Sequence, residues 1–371
     1  MIKVMSIFGT RPEAIKMAPL VAELAKYSNK IDSKVLVTAQ HRQMLDQVIK
    51  IFNIQPNFDL DIMQDSQTLE QITTNALEGI SEVLKKEQPD LILVHGDTTT
   101  TMAGSLAGFF NKVKVGHVEA GLRTFDKFSP FPEEMNRRIT GVIADYHFAP
   151  TQNNKRNLLN EGVRENTIFV TGNTVIDAIK KMTSQKDYKF HSKELQNIDF
   201  SKKVILLTAH RRENLGTPLE NICEAVAHLA KDNTDIEIVY PVHLNPKVQT
   251  TAKNILGNIP NVHLIHPLTV DDLHNLMARC YLVMTDSGGL QEEAPSLGKP
   301  VLVLRTETER PEAVEAGTVK IVGVERKNII KEASLLLNNK AEYEKMAKAT
   351  NPYGDGTAST QIVQIILKQF S

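Results

Sequence analysis

In this chain the residues able to move protons or hold anions collect directly behind short apolar, β-branched runs. Behind the first run comes Gly9-Thr10-Arg11-Pro12-Glu13-Ala14-Ile15-Lys16, a glycine turn that opens a helix with Arg11 and Lys16 near its positive end. That end suits an anion, although an ordinary βα turn with two solvated cations looks the same and the segment is not a GxGxxG. Behind Leu91 to Val94 stands His95-Gly96-Asp97-Thr98-Thr99-Thr100-Thr101, and the run from Val113 ends in His117-Val118-Glu119-Ala120-Gly121-Leu122-Arg123. Asp97 has two readings, an acid–base group or a helix N-cap worth about 1 kcal/mol. Glu119 has no evident cap to make and reads as a site residue. A third acidic pair, Glu133-Glu134, follows a loop restricted by Pro130 and Pro132. These carboxylates either face a ligand or complement the helix dipole, and Glu133 and Arg137 are spaced like a surface ion pair.

The second half repeats the pattern. Leu206-Leu207-Thr208-Ala209 leads into His210-Arg211-Arg212-Glu213-Asn214. A lone histidine is usually structural, whereas one beside two arginines suits a pyrophosphate-bearing ligand. Val283-Met284-Thr285-Asp286-Ser287-Gly288-Gly289 then reads as a strand, a glycine turn and a helix start. The N–H groups of Ser287, Gly288 and Gly289 can cradle a phosphate there, with Glu293 one turn on to accept hydrogen bonds from a ribose diol. Its plainer reading is a glycine turn with an acidic first helical turn. HExxH, CxxC and clustered His/Asp spacings are absent from the sequence, as is a dinucleotide fingerprint, so neither a metal nor a redox cofactor is expected.

Strands must aim these groups. The runs Lys3 to Phe8, Lys34 to Thr38, Leu91 to His95, Val113 to Val118, Tyr146 to Ala149 and Thr167 to Val170 alternate with helical patterns. So do Lys203 to Thr208, Ile236 to Pro241, Val262 to Ile265, Leu282 to Thr285, Pro300 to Leu304 and Val319 to Val322. Alternation of this kind marks βαβ units and buried parallel sheets, and ligands of such sheets sit beyond the carboxyl ends of the strands. The fold class is α/β: two doubly wound Rossmann-like domains facing a cleft, over 1–171 and 172–357, with a hinge at Thr171-Gly172-Asn173. The polar stretch Ser184 to Ser201 reads as a surface connection, and an amphipathic helix from Ala358 is expected to pack back on the first domain.

Composition narrows the partners. With 43 Lys and Arg against 44 Asp and Glu, no global field marks a binder of nucleic acid or membrane surfaces. No stretch approaches the about 20 apolar residues of a spanning helix, and the N-terminal run, broken at Gly9, is too short for a signal peptide. Cys223 and Cys280 each lie in an apolar pattern, which predicts buried free thiols and a cytoplasmic protein.

Taken together, Gly9-Thr10-Arg11-Pro12-Glu13, His95-Gly96-Asp97-Thr98, Val118-Glu119-Ala120-Gly121-Leu122-Arg123, Pro132-Glu133-Glu134-Met135-Asn136-Arg137, His210-Arg211-Arg212-Glu213-Asn214 and Asp286-Ser287-Gly288-Gly289 with Gln291-Glu292-Glu293 resemble the non-hydrolysing bacterial UDP-N-acetylglucosamine 2-epimerases. The likeness runs in family order from the first strand to about Arg310. It implies a GT-B-like architecture, a homodimer, and UDP held mainly by the second domain. By position it implies catalytic roles for Asp97, Glu119, Glu133 and His210, and a UDP site at Ser287, Gly288, Gly289 and Glu293. Arg11, Lys16, Arg137 and Arg310 correspond to further substrate contacts, and Leu268 and Leu273 to the uracil contacts. Gln40, Gln43, Arg211 and His243 correspond to a second site where some members bind UDP-N-acetylglucosamine as activator, and Ser66 stands where that site uses an arginine.

The implied reaction has a chemical constraint. The C2 proton of the sugar is not adjacent to a carbonyl, so its removal is expected to accompany loss of UDP, giving 2-acetamidoglucal. Anti elimination followed by syn addition then requires two differently placed acid–base groups. A hydrolysing epimerase, a glycosyltransferase of the same architecture and a nucleotide-sugar sensor are the competing readings. The first differs chiefly in whether water captures the intermediate. The second needs an acceptor-binding face that does not stand out in the first half, and a sensor has no need of several acids at strand ends.

Overall fold

The computed structural model describes residues 1–40, 42–64, 66–185 and 187–370, with Gln43 and Met44 described in the backbone alone. The chain divides into two compact units, Met1–Ala178 with Tyr353–Ser371, and Ile179–Pro352.

The first unit is built on seven parallel strands: β1 (Ile2–Phe8), β2 (Ile31–Val37), β3 (Phe58–Asp59), β4 (Leu91–His95), β5 (Lys114–Val118), β6 (Tyr146–Ala149) and β7 (Ile168–Val170). They lie in the order β3-β2-β1-β4-β5-β6-β7. The second unit has β8 (Lys203–Thr208), β9 (Ile236–Pro241), β10 (Val262–Ile265), β11 (Leu282–Thr285), β12 (Val301–Val303) and β13 (Val319–Ile321), in the order β10-β9-β8-β11-β12-β13. Helices cover both faces, so the central strands are apolar without alternation. Leu91, Ile92, Leu93 and Val94 are all fully buried, as are Ile205, Leu206 and Leu207. In each sheet the winding direction reverses once, between β1 and β4 and between β8 and β11. Turns leaving those strands in opposite directions open a crevice at their carboxyl ends.

One face of the first sheet packs Met5, Ile7 and Val94 on Ile80, Ala103 and Ala107. In the second unit Ile205, Leu207 and Tyr240 pack on Leu219, Cys223 and Val226. Cys223 and Cys280 are free and buried, and burial pushes both thiols up to about 12.

Two local results refine the sequence reading. The stretch from Ser184 to Ser201 is not a bare surface connection. Its Phe190, Leu195 and Ile198 are buried, and the carboxylate of Asp272 accepts the main-chain N–H groups of His191 (3.0 Å) and Ser192 (2.8 Å). The helix Ala358–Gln369 belongs to the first unit. Asp177 there accepts the N–H groups of Ser359 (2.8 Å) and Ala358 (3.3 Å), satisfying two of the donors that every helix start leaves open.

Candidate functional site

At the reversal point of the first unit, one buried carboxylate ties the β1 turn to the β4 turn. Glu13, in the helix Arg11–Ala25, accepts the N–H groups of Gly9 (3.1 Å) and Thr10 (2.8 Å) and the hydroxyls of Thr98 (2.7 Å) and Thr101 (3.1 Å). Burial raises its pKa, and the hydrogen bonds from Thr98, Thr10 and Gly9 offset part of the rise. Gly9 permits the tight closure, since a Cβ there would lie 2.0 Å from Thr38 Oγ1 and 2.5 Å from Thr100 Oγ1.

The helix Thr99–Phe110 is capped by Thr98, whose hydroxyl accepts the N–H of Thr101 at 3.1 Å. The alternative reading of Asp97 as that cap therefore falls away. Its carboxylate instead accepts from Arg137 Nη2 at 2.7 Å, and its carbonyl accepts from Asn136 Nδ2 at 3.0 Å. Burial raises the Asp97 pKa; Arg137 opposes this most strongly, while Glu119 adds to it, Lys16 opposes it and Glu133 adds again.

Glu119 follows β5 with φ of +63°, the left-handed region that costs a side-chain-bearing residue on the order of 1–3 kcal/mol. Lys16 Nζ pairs with its Oε1, and Asn173 Nδ2 donates to the same oxygen at 2.9 Å. Lys16, expected on the substrate, thus lies on a carboxylate expected to be catalytic. The second oxygen lies 3.5 Å from His95 Nε2. His95 is buried and its pKa is lowered to about 4, chiefly by burial.

Glu133 and Arg137 do not pair as their four-residue spacing suggested. Arg137 reaches Asp97 and, at 3.4 Å, Glu134, while Glu133 Oε2 is buried with no hydrogen-bond partner among the described residues. Glu134 holds the loop, accepting the N–H groups of Thr124 (3.0 Å) and Phe125 (3.2 Å). Arg11 is half-buried at the helix start and has no hydrogen bond or ion pair among the described residues. Gln40 accepts the Thr100 hydroxyl at 3.1 Å, Ser66 has φ of +59°, and the side chain of Gln43 lies outside the described residues.

In the second unit Asp286 takes the part that Glu13 takes in the first. Its Oδ2 accepts the N–H groups of His210 and Arg211, each at 2.8 Å, and the Asn214 side-chain amide at 3.0 Å. The turns after β8 and β11 are clamped together. His210 is 42% exposed and stacks on the His243 ring, the centroids 5.1 Å apart and the planes 7° from parallel.

The N–H of Ser287 is already committed to Thr285 Oγ1 at 2.9 Å. Of the three N–H groups expected to cradle a phosphate, those of Gly288 and Gly289 remain at the start of the helix Gly288–Glu293. A Cβ on Gly288 would lie 3.6 Å from Arg211 Nη2 and 3.9 Å from Arg310 Nη2, so two guanidiniums flank the helix start. Arg310 is oriented by an ion pair from its Nε to Glu292. A helix N-terminus beside guanidiniums is an arrangement that suits an anion. Glu293 lies 3.2 Å from His274 Nε2. Leu268, in the loop after β10, and Leu273, in the first turn of the helix Val270–Arg279, are half-buried.

Sequence reasoning passed over Glu13, His95, Asn173 and Asp286. Each stands within a few residues of a strand end, and Asn173 lies three residues beyond β7, where the rule used for the other strands would have found it. Among the described residues no three His, Cys, Asp or Glu side chains are grouped to hold a metal ion, and no helix is long and apolar enough to cross a membrane.

A family model described as UDP-N-acetylglucosamine 2-epimerase matches residues 23–367. A Bacillus subtilis protein named UDP-N-acetylglucosamine 2-epimerase is 58% identical over 366 residues, covering 99% of this chain and 95% of its own length. One of the same name from Escherichia coli K12 is 54% identical over 369 residues, 98% of each. A crystal structure of UDP-GlcNAc 2-epimerase from Neisseria meningitidis bound to UDP-GlcNAc superposes with a TM-score of 0.87 at 51% identity, covering 99% of this chain and 100% of that one.

Proposed function

Because this chain belongs to the UDP-N-acetylglucosamine 2-epimerase family, we propose that it interconverts UDP-N-acetylglucosamine and UDP-N-acetylmannosamine reversibly, without hydrolysis and with no added NAD or divalent metal. The observation that carries this reading is the pairing of two strand-end carboxylates with separate cations, Asp97 with Arg137 and Glu119 with Lys16. Their surroundings differ. Burial keeps Asp97 prone to hold a proton, whereas Glu119 carries an ammonium and an amide donor on one oxygen. Acid–base groups in unlike environments are what a two-faced proton transfer requires.

In the forward direction the C1–O bond breaks with its electron pair passing to the β-phosphate of UDP. The C2 proton passes to a carboxylate, and a C1–C2 double bond forms. Return forms the C1–O bond again while a proton is delivered to C2 on the other face. Arg211, Arg310 and the helix start at Gly288 stabilise the departing UDP, with Glu293 on the ribose. We assign the reaction to the cytoplasm and its product to N-acetylmannosamine supply for a cell-envelope polysaccharide. A homodimer is supported by Phe109, Phe110 and Val142, exposed at 63%, 61% and 87% on neighbouring helices; light scattering of the purified protein checks it.

The deciding experiment incubates purified protein with UDP-N-acetylglucosamine in D2O and follows it by NMR. UDP-N-acetylmannosamine carrying deuterium at C2 is expected. Free N-acetylmannosamine as the main product would establish the hydrolysing reaction instead, and product retaining the original C2 hydrogen would exclude elimination.

A further inference from the structure

Asn173 does two jobs with one side chain. Its carboxamide oxygen accepts the N–H of Val175 at 3.1 Å, capping the helix Thr174–Thr183, and its nitrogen donates to Glu119 Oε1 at 2.9 Å. The residue is 3% exposed, and its own N–H donates to the Tyr353 carbonyl at 2.7 Å. Gly172 before it has φ of +85°, and a Cβ there would lie 3.0 Å from that same carbonyl. The segment at Tyr353 therefore presses against a backbone that only glycine accommodates easily.

A capping requirement alone does not select asparagine. Ser and Asp cap about as well and Thr somewhat less well, but Asp has no donor to offer and the hydroxyl residues are shorter. Asparagine alone supplies a cap acceptor and, from the other arm of the same planar group, a donor. That donor meets a carboxylate on a three-torsion side chain whose other described partner on this oxygen, Lys16, is itself long and flexible. Lys16 brings charge; Asn173, fixed by a helix start and a neighbouring main chain, brings direction.

We propose that Asn173 is a positioning residue for the proton transfer at C2, holding the Glu119 carboxylate in its productive orientation. The proposal rests on the reading of Glu119 as a proton carrier. Asn173→Asp keeps the cap oxygen and turns the donor into a second carboxylate oxygen facing Glu119. Asn173→Ser keeps the cap without reaching Glu119, and guards against a charge effect on folding.

Both variants are to be compared with the parent and with Glu119→Gln, using UDP-N-acetylglucosamine with protium or deuterium at C2. Asn173→Ser should melt within a few degrees of the parent, whereas Asn173→Asp should melt lower because two carboxylates then face each other in a buried place. KM and UDP affinity of both should change less than about 3-fold. Turnover should fall about 100-fold, the usual scale of a misplaced catalytic group. The isotope effect on turnover should rise as proton transfer becomes limiting. Turnover within about 3-fold of the parent, or a loss with an unchanged isotope effect, overturns the positioning role. A parent inactive on this substrate, or a fully active Glu119→Gln, overturns the reading of Glu119 instead.

Discussion

Asp286 and His210 face each other with 3.8 Å between Oδ1 and Nδ1, while the other oxygen of the same carboxylate receives the main-chain N–H of His210 at 2.8 Å. One buried acid thus sets both the backbone and the surroundings of the imidazole. Asp286→Ala strands the N–H groups of His210 and Arg211 and leaves the Asn214 amide only the Leu304 carbonyl, a loss of about 3 kcal/mol on the usual scale for buried unsatisfied donors. Asp286→Asn still presents an oxygen to all three and should lose much less. Urea unfolding measures both, and an alanine variant as stable as the parent would refute the clamp.

Two substitutions separate the phosphate from the ribose end of the proposed nucleotide site. A Cβ on Gly288 makes only ordinary contacts, 3.6 Å and 3.9 Å from the two guanidinium nitrogens, so Gly288→Ala should fold normally yet occupy space claimed by a phosphate. UDP affinity should drop at least about 10-fold, or 1.4 kcal/mol. Glu293→Ala should weaken UDP by about 1.5 to 3 kcal/mol through lost charge-assisted hydrogen bonds. Calorimetry with UDP and with uridine distinguishes them, since only the second variant should lose affinity for the nucleoside. Unchanged UDP binding in either removes that residue from the site.

Asp97→Asn, Glu119→Gln and Glu133→Gln should each lower turnover by about 10²- to 10⁴-fold, the span of general acid–base catalysis. Glu133 is the informative member because its buried Oε2 meets no partner among the described residues. A structural carboxylate in that position would be costly, so Glu133→Gln should leave stability equal or higher while turnover falls. Loss of stability with full activity would reverse the assignment.

Acid should destabilise the first unit through two neutral histidines. Burial lowers His117 to about 3 and His95 to about 4, both from 6.5. The unfolded chain then binds more protons than the folded one as pH falls below about 6.5. Stability therefore declines with falling pH and levels off only below the folded values. At pH 5 each histidine costs about 2 kcal/mol relative to pH 8. His117→Gln retains a donor for the Gly96 carbonyl, now 2.7 Å from Nε2, and removes one titration. Denaturant unfolding at the two pH values should show a smaller decline in this variant, and an equal decline would show that His117 does not contribute.

Strands buried on both faces were the most legible part of this chain. Leu91–His95, Lys203–Thr208 and Leu282–Thr285 carry the bounds expected of them, because a buried apolar run ending in polar residues has few other uses. Tyr146–Ala149, Ile236–Pro241 and Val262–Ile265 match as well, although His147, Glu237 and His263 interrupt their apolar pattern. The strand Phe58–Asp59 has two residues and no pattern to read. The positions of the candidate acids behind the strands were legible, from the rule that strand ends bear ligands. Their partners were not. Arg137 sits four residues from Glu133 but binds Asp97, forty residues away, and local spacing says nothing of such a competitor. Nor can a sequence show that the Thr285 hydroxyl takes the N–H of Ser287, or that Phe190, Leu195 and Ile198 find a core without any regular period.

The return of Tyr353 and the helix Ala358–Gln369 to the first unit sets an order of assembly. The first 178 residues leave the ribosome with every strand of their sheet but without the carbonyl that braces Asn173 or the helix start whose N–H groups donate to Asp177. Those groups are translated only after all of the second unit. The orientation of Glu119 is therefore completed late, by residues far from it along the chain, and a nascent first domain released early would hold the acids of the site without their final support.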